Sequence, residues 1–296
     1  MTSKARAELI LLATTIVWGS TFVVVKIGLE EFSAFLFVAI RFLLAALFFL
    51  LFFRKKIFPM SASVARKGSL LGLLLFIGFI TQTIGLNHTT ASKSAFITGM
   101  MVALVPLLQI FITRKPPKVG NIVGILLVVI GLLFLTSPEE SAFNFGDAIT
   151  IVCAVAFAVY IVYLDVVSRE MTALQLTFLQ IASNAVLATI GVFVFESVAF
   201  NTSFNAIAAL LYLTIFATII TVFVQTNYQK DTTPTRAVII FSIEPVIASV
   251  LAYFFLGEVL GPLGLLGGGL IVGGVLVSEL SDSIPGLNKS VGGFDA

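Results

Sequence analysis

The chain has 296 residues, 59% hydrophobic and 11% charged, with a formal net charge of +2 and a mean hydropathy of +1.13. A soluble domain carries about 25% charged residues, so this chain cannot cover its own surface in water, and a net charge so near zero gives no footprint for nucleic acid. The single cysteine, Cys153, excludes an internal disulfide and, lying in an apolar run, reads as a small packing residue.

Taken in order, ten apolar stretches are predicted, near 8–26, 32–53, 68–88, 91–113, 118–136, 144–165, 173–195, 205–227, 234–256 and 261–280. Each is long enough to cross a hydrocarbon core of about 30 Å. Lipid cannot satisfy open backbone groups, so the stretches are predicted to be helices; the alternation of barrel strands is absent. The basic start, Met1 to Arg6, raises a signal peptide, but the run at 8–25 exceeds the usual h-region of about 7–15 residues, so it reads as a retained first helix. The longest linker spans 54–67, and a tail at 281–296 carries Pro, Gly, Ser and Asp.

The charges fall on alternate connections. With a cytoplasmic N-terminus, one side carries Lys4, Arg6, Arg54, Lys55, Lys56, Arg66, Lys67, Arg114, Lys115, Lys118, Arg169, Lys230, Arg236 and Lys289. The other side keeps only Lys26 and Lys93, together with Glu30, Glu31, Glu139, Glu140, Asp147, Glu196 and Glu258. Basic segments resist translocation, so this split predicts that both termini are cytoplasmic.

Residues 1–143 reappear, much altered, in 144–280. At one offset of 143, Lys26 meets Arg169, Arg41 meets Asn184, Thr89–Lys93 meets Thr232–Arg236, and Gly124 and Gly131 meet Gly267 and Gly274. Pro106 and Pro245 instead stand 139 apart, which predicts kinks at different depths in the fourth and ninth spans. Five crossings per copy turn the second copy upside down. The expected architecture is therefore an all-α integral membrane protein of ten transmembrane helices in two inverted five-helix repeats, 1–143 and 144–280, with a cytoplasmic tail at 281–296. Inverted copies predict alternating access around a midplane site.

The stretches IVWGSTFVVVKIGLE (16–30), IRFLLAALFFLL (40–51), TTASKSAFITGMMVALVPLL (89–108), TTPTRAVIIFSIEPVIASVLAYFFLGEVLG (232–261) and GLLGGGLIVGGVLV (264–277) resemble the EamA family of the drug/metabolite transporter superfamily. The resemblance implies an inner-membrane exporter of small metabolites, amino acids or drugs, working without ATP.

Within the spans, Glu244 is the outstanding group. A charge at mid-bilayer costs about 2.5–3.5 kcal/mol on insertion scales, so such residues face a cavity or find a partner. It is a candidate for cargo or proton binding, or a brace for the kink at Pro245. Trp18, Thr98, Tyr160 and Ser242 complete the expected substrate-binding set, drawn from polar and aromatic groups that also include Ser20, Thr21, Gln82, Gln109, Tyr163, Gln180, Asn184, Gln225 and Asn227. Arg41, nine residues into the second span, is expected to pair with Glu30, Glu31 or Glu258, or to meet a cargo carboxylate. Lys93 and Arg236 begin the fourth and ninth spans on opposite faces, as gates or as anchors. GxxxG pairs at Gly120/Gly124, Gly264/Gly268 and Gly269/Gly273 offer close helix packing, between the halves or in a homodimer. Monomer and homodimer both stay open.

No cofactor is expected. His88 stands alone, with no HExxH and no cysteine or carboxylate cluster around it, so it reads as a surface group and no metal site is predicted. The absence of GxxxxGK[ST] disfavours a primary pump, and the absence of a nucleophile with its base disfavours an enzyme. A passive channel and a non-transport assembly protein remain the rival classes. The expected partners are a small-molecule substrate and the lipid bilayer.

Overall fold

The computed structural model describes residues 3–114, 116–135, 143–196, 203–259, 261–281, 284 and 287–289. Glu139, Glu140, Lys115 and most of the expected tail lie outside these described residues. The helices run α1 (Ser3–Gly28), α2 (Ala34–Ile57), α3 (Ala62–Leu86), α4 (Ala91–Gly99), α5 (Met101–Thr113), α6 (Val119–Leu135), α7 (Phe145–Val167) and α8 (Ala173–Phe195). They continue through α9 (Phe204–Thr214), a π-helical turn (Ile215–Ile220), α10 (Thr221–Tyr228), a 3₁₀ turn (Gln229–Asp231), α11 (Pro234–Phe241), α12 (Glu244–Leu256) and α13 (Pro262–Leu280). Among the described residues, nine helical stretches are long and apolar enough to cross a membrane. The shorter tenth, α6, has 17 residues and is about 26 Å long at 1.5 Å per residue, close to one hydrocarbon core.

Local sequence sets the helix starts. Ser61, Thr90, Thr172, Ser203 and Thr233 each accept the backbone N–H three residues on. Asn144 and Asp147 form a reciprocal capping box at α7. The third crossing begins at Ala62, not near 68, so the expected linker 54–67 shrinks to 58–61. Hydropathy marks where lipid begins; the helix itself runs on into the polar region, as far as its Ser61 cap.

The fourth and ninth crossings are broken, and the breaks correct the proline reading. α4 gives way to α5 at Met100, and α11 gives way to α12 across Ser242 and Ile243. Met100 and Ile243 stand at the repeat offset of 143, although the prolines do not. Pro106 lies inside α5, well past its break, whereas Pro245 sits in the first turn of α12, where its missing N–H is needed least. Gly99 packs where an added Cβ would lie 3.4 Å from Pro245 Cγ, so the two broken crossings meet at their breaks.

The halves interlock. The most extensive helix pairings, α6 with α13, α3 with α7 and α8, α2 with α8 and α1 with α12, all join one half to the other. Glycines set the closest approach. A Cβ at Gly124 would lie 2.7 Å from Gly274 O, and one at Gly131 would lie 2.6 Å from Gly267 O. The offset of 143 maps the first contact onto the second with the partners exchanged, as an isologous two-fold contact requires. The axis relating the repeats therefore passes between α6 and α13. Gly269 and Gly273 do not share this role: an added Cβ would meet nothing within 4 Å at either.

Gly131→Leu is expected to destabilise by about 1–3 kcal/mol through overpacking against a backbone carbonyl, while Gly269→Leu is expected to be neutral. Thermal unfolding of the detergent-solubilised protein separates the two.

Candidate functional site

A cavity with about 530 Å³ of space not filled by protein lies among the broken crossings. It is lined by Trp18, Thr21 and Phe22 of α1, Leu75, Phe79 and Gln82 of α3, Thr98 of α4, Met101 of α5, Phe157, Tyr160 and Ile161 of α7, Val222 and Gln225 of α10, Phe241 of α11 and Glu244 of α12. Ten of these fifteen residues pair at the repeat offset: Trp18 with Ile161, Phe79 with Val222, Gln82 with Gln225, Thr98 with Phe241 and Met101 with Glu244. The cavity thus lies on the pseudo-two-fold axis, built from the first, third and fourth crossings of each half. Trp18 and Phe241 meet edge to face with centroids 5.4 Å apart, and Phe79 and Phe157 at 5.5 Å.

Four of the five expected binding residues, Trp18, Thr98, Tyr160 and Glu244, come together in this lining. Ser242 does not; its hydroxyl donates to Val238 O of its own helix at 2.9 Å. Glu244 opens α12 beside the break, and Gly19 holds it there, since a Cβ at Gly19 would lie 3.0 Å from Glu244 O and 2.6 Å from Ile247 Cβ. Gln82 donates to Thr98 Oγ1 at 3.3 Å. Tyr160 donates to Gln180 Oε1 at 2.6 Å. Cys153 is buried, with Sγ 3.8 Å from the Thr98 hydroxyl.

Arg41 departs from its expectation. It is buried and meets no carboxylate among the described residues; Nε donates to Thr218 Oγ1 at 2.6 Å and Nη2 to Ala217 O at 3.1 Å. Both acceptors belong to the π-helical turn, where Thr218 in turn donates to Leu213 O five residues back. The widened turn offers a carbonyl and a hydroxyl side by side, which suits a guanidinium fork. The guanidinium carbon stands 4.8 Å from the Phe79 ring centroid, behind the cavity wall, and Ala217 O also receives Trp18 Nε1 at 3.4 Å. Asn184, the repeat partner of Arg41, is fully buried with neither amide atom bonded to a described residue.

Glu196 and Glu258 lie in connections as expected but cap helices of the opposite half, and Asp147 lies inside α7. Glu196 receives the Ser33 hydroxyl and the Phe35 and Leu36 N–H groups, capping α2. Glu258, turned by Gly257 at φ 69°, receives the Ala91 and Ser92 N–H groups at 2.9 and 3.1 Å and the Ser92 hydroxyl at 2.5 Å, capping α4. Asp147 is completely buried; it pairs with Lys93 Nζ at 2.7 Å and receives the Thr89 hydroxyl at 2.8 Å.

The other broken crossing repeats this arrangement at the opposite end of the molecule. Arg236 Nε donates to Glu8 Oε1 at 2.7 Å, Nη2 donates to Glu279 Oε2 at 2.7 Å, and the Thr232 hydroxyl donates to Glu8 at 2.9 Å. Thr235 N–H and hydroxyl donate to Gln109 Oε1 at 3.0 and 2.9 Å, as Ser92 does to Glu258. Thr89 and Thr232, Ser92 and Thr235, and Lys93 and Arg236 each stand 143 apart. Lys26, near the far end of α1 from Glu8, donates to Thr89 O at 2.6 Å, which places the two clusters at opposite ends of that helix. Each cluster clamps the start of one half's fourth crossing to the first crossing of the other half. Sequence reasoning missed Glu8 and Gln109 in these roles, placed Asp147 in a loop, and did not join Gln82 to Gln225; the offset of 143 was the signal for the glutamine pair, whereas Glu8, Gln109 and Asp147 meet Ile151, Ala252 and Lys4 at that offset and carried no such signal.

An all-helical, two-repeat chain with a central cavity and matched ion pairs defines a membrane transporter class. The profile of the EamA-like transporter family matches residues 5–137 and 144–280, and the chain belongs to that family. It is 34% identical over 275 residues to an uncharacterized transporter of Archaeoglobus fulgidus, covering 93% of this chain and 86% of that one. It is 26% identical over 279 residues to the uncharacterized inner membrane transporter YedA of Escherichia coli, covering 91% and 89%. A solved crystal structure shares the fold with a TM-score of 0.76 at 18% identity, covering 93% of this chain and 97% of that one.

Arg41→Lys keeps the charge but not the two-pronged donor, and is expected to lose about 1.5–3 kcal/mol of stability. Glu30→Gln is expected to leave stability unchanged. Thermal unfolding of both variants checks this.

Proposed function

We propose that the protein is an exporter of small organic solutes in the cell inner membrane, with both termini cytoplasmic, working by alternating access around the cavity between the repeats. Trp18, Thr98, Tyr160 and Glu244 contact the cargo. Lys93 with Asp147 forms the outer latch, and Arg236 with Glu8 and Glu279 the inner one. The observation that carries this reading is the placement of one cavity on the pseudo-two-fold axis with a repeat-related latch at each end. A fixed pore has no use for two latches related by inversion, whereas a carrier opens one while the other holds.

Proteoliposomes loaded with a panel of amino acids and amines test the reading. Uptake of labelled solute is expected to saturate and to accelerate when unlabelled solute is present on the far side; unsaturable uptake without counterflow contradicts the proposal. Lys93→Asp alone is expected to slow exchange by about tenfold, within the range of typical coupling energies, and Lys93→Asp with Asp147→Lys to recover most of it.

A further inference from the structure

The groups facing the cavity are unbalanced in their hydrogen bonding. Trp18 Nε1–H is committed to Ala217 O, the Thr21 hydroxyl donates to Trp18 O at 2.7 Å, and the Tyr160 hydroxyl is spent on Gln180. Each of these three has only one proton to give. Glu244 is the reverse: it is 8% exposed, lines the cavity, accepts no hydrogen bond and pairs with no cation among the described residues. An unpaired buried carboxylate is costly, so what fills the cavity is complementary to it.

Among the described residues, no basic side chain lines the cavity. Arg41 is not among the lining residues; its guanidinium carbon stands 4.8 Å from the Phe79 ring centroid and its Nε and Nη2 are held by the π-helical turn. A ligand carboxylate would therefore find the donors of Trp18, Thr21 and Tyr160 already committed, and only the second amide hydrogens of Gln82 and Gln225, neutral donors, left to receive it. A ligand ammonium finds the carboxylate free and aromatic faces around it. The edge-to-face pairs of Trp18 with Phe241 and Phe79 with Phe157 leave ring surface for a flat body.

We propose that the cargo class is a monovalent organic amine with a flat aromatic body, its ammonium at Glu244 and its ring between Trp18 and Phe79. This names the cargo of the carrier proposed above and rests on that reading. It disfavours free amino acids, whose carboxylate would meet the neutral amides of Gln82 and Gln225 but no cationic side chain among the described lining residues.

Trp18 is the chain's single tryptophan, so its fluorescence reports occupancy of the cavity. Three probes share one ring and differ in charge: phenethylamine, phenylalanine and hydrocinnamate. Added to the purified full chain, phenethylamine is expected to shift Trp18 emission saturably and to bind at least about tenfold more tightly than the other two. Glu244→Gln is expected to lose that binding by about tenfold or more, while Glu244→Asp, which keeps the charge, retains it. Equal or tighter binding of phenylalanine or hydrocinnamate overturns the proposal, as does unchanged binding in Glu244→Gln or an absence of binding by all three probes. Counterflow in proteoliposomes separates the two readings. Phenethylamine that binds without exchanging supports this site and contradicts the carrier, whereas phenylalanine that exchanges while phenethylamine does not supports the carrier and overturns this cargo class.

Discussion

The backbone contact between α6 and α13 is the constraint on which the rest of the structure depends. Gly124 against Gly274 and Gly131 against Gly267 leave no room for side chains, and the two contacts are one contact repeated by the inversion. In lipid there is no hydrophobic force to press helices together, so such approach rests on dispersion and on the absence of Cβ atoms. Once that axis is fixed, several features of one half have counterparts facing the other way. The breaks at Met100 and Ile243, the caps at Thr90 and Thr233, and the glutamines at Gln82 and Gln225 all follow.

The two ion-pair clusters, read as the latches of the proposed carrier, have a common energetic character. An ion pair taken partly out of water gains little over two solvated charges, because desolvation offsets the attraction. A weak latch is what a cycle requires, since one end must release without help from a large energy source. In the proposed carrier, a difference in cargo contact between the two states is what shifts the population from one to the other. The copies are not identical. A carboxylate, Glu258, receives the start of α4 where an amide, Gln109, receives the start of α11, and Glu279 has no counterpart in the Lys93 cluster among the described residues. Likewise the cavity is symmetric in position but not in charge: Met101 stands where its repeat partner is Glu244. The broken symmetry places a single carboxylate in a site whose five offset pairs match in residue type only at Gln82 and Gln225.

Much of the architecture was legible in the residues. The spans predicted at 91–113, 173–195 and 234–256 coincide with the observed crossings, because lipid demands long apolar runs and Ser, Thr and Gly mark where they stop. Trp18, Thr98, Tyr160 and Glu244 were legible as unusual groups at membrane depth. Partners across the two halves were not. Arg41 was given to the acids because charge seeks charge, but a π-helical turn supplies its acceptors, and nothing in IFATII announces such a turn. Asp147 looked like a loop acid because it stands at a span boundary; burial by the opposite half makes it the partner of Lys93. The prolines were an uneven guide to the breaks: Pro106 lies inside α5, six residues past the break at Met100, whereas Pro245 lies in the first turn of α12 beside its break, so only the second proline marks one.

The central claim is that one cavity is reached from either side in turn. Thr21→Cys in a Cys153→Ala background places a single thiol in the lining, and a membrane-impermeant thiol reagent applied to right-side-out and inside-out vesicles reads its accessibility. The account predicts that adding Lys93→Ala raises labelling from the outer face and lowers it from the cytoplasmic face, and that Arg236→Ala does the opposite. Labelling that rises from both faces together, or that moves in the same direction in both variants, contradicts it.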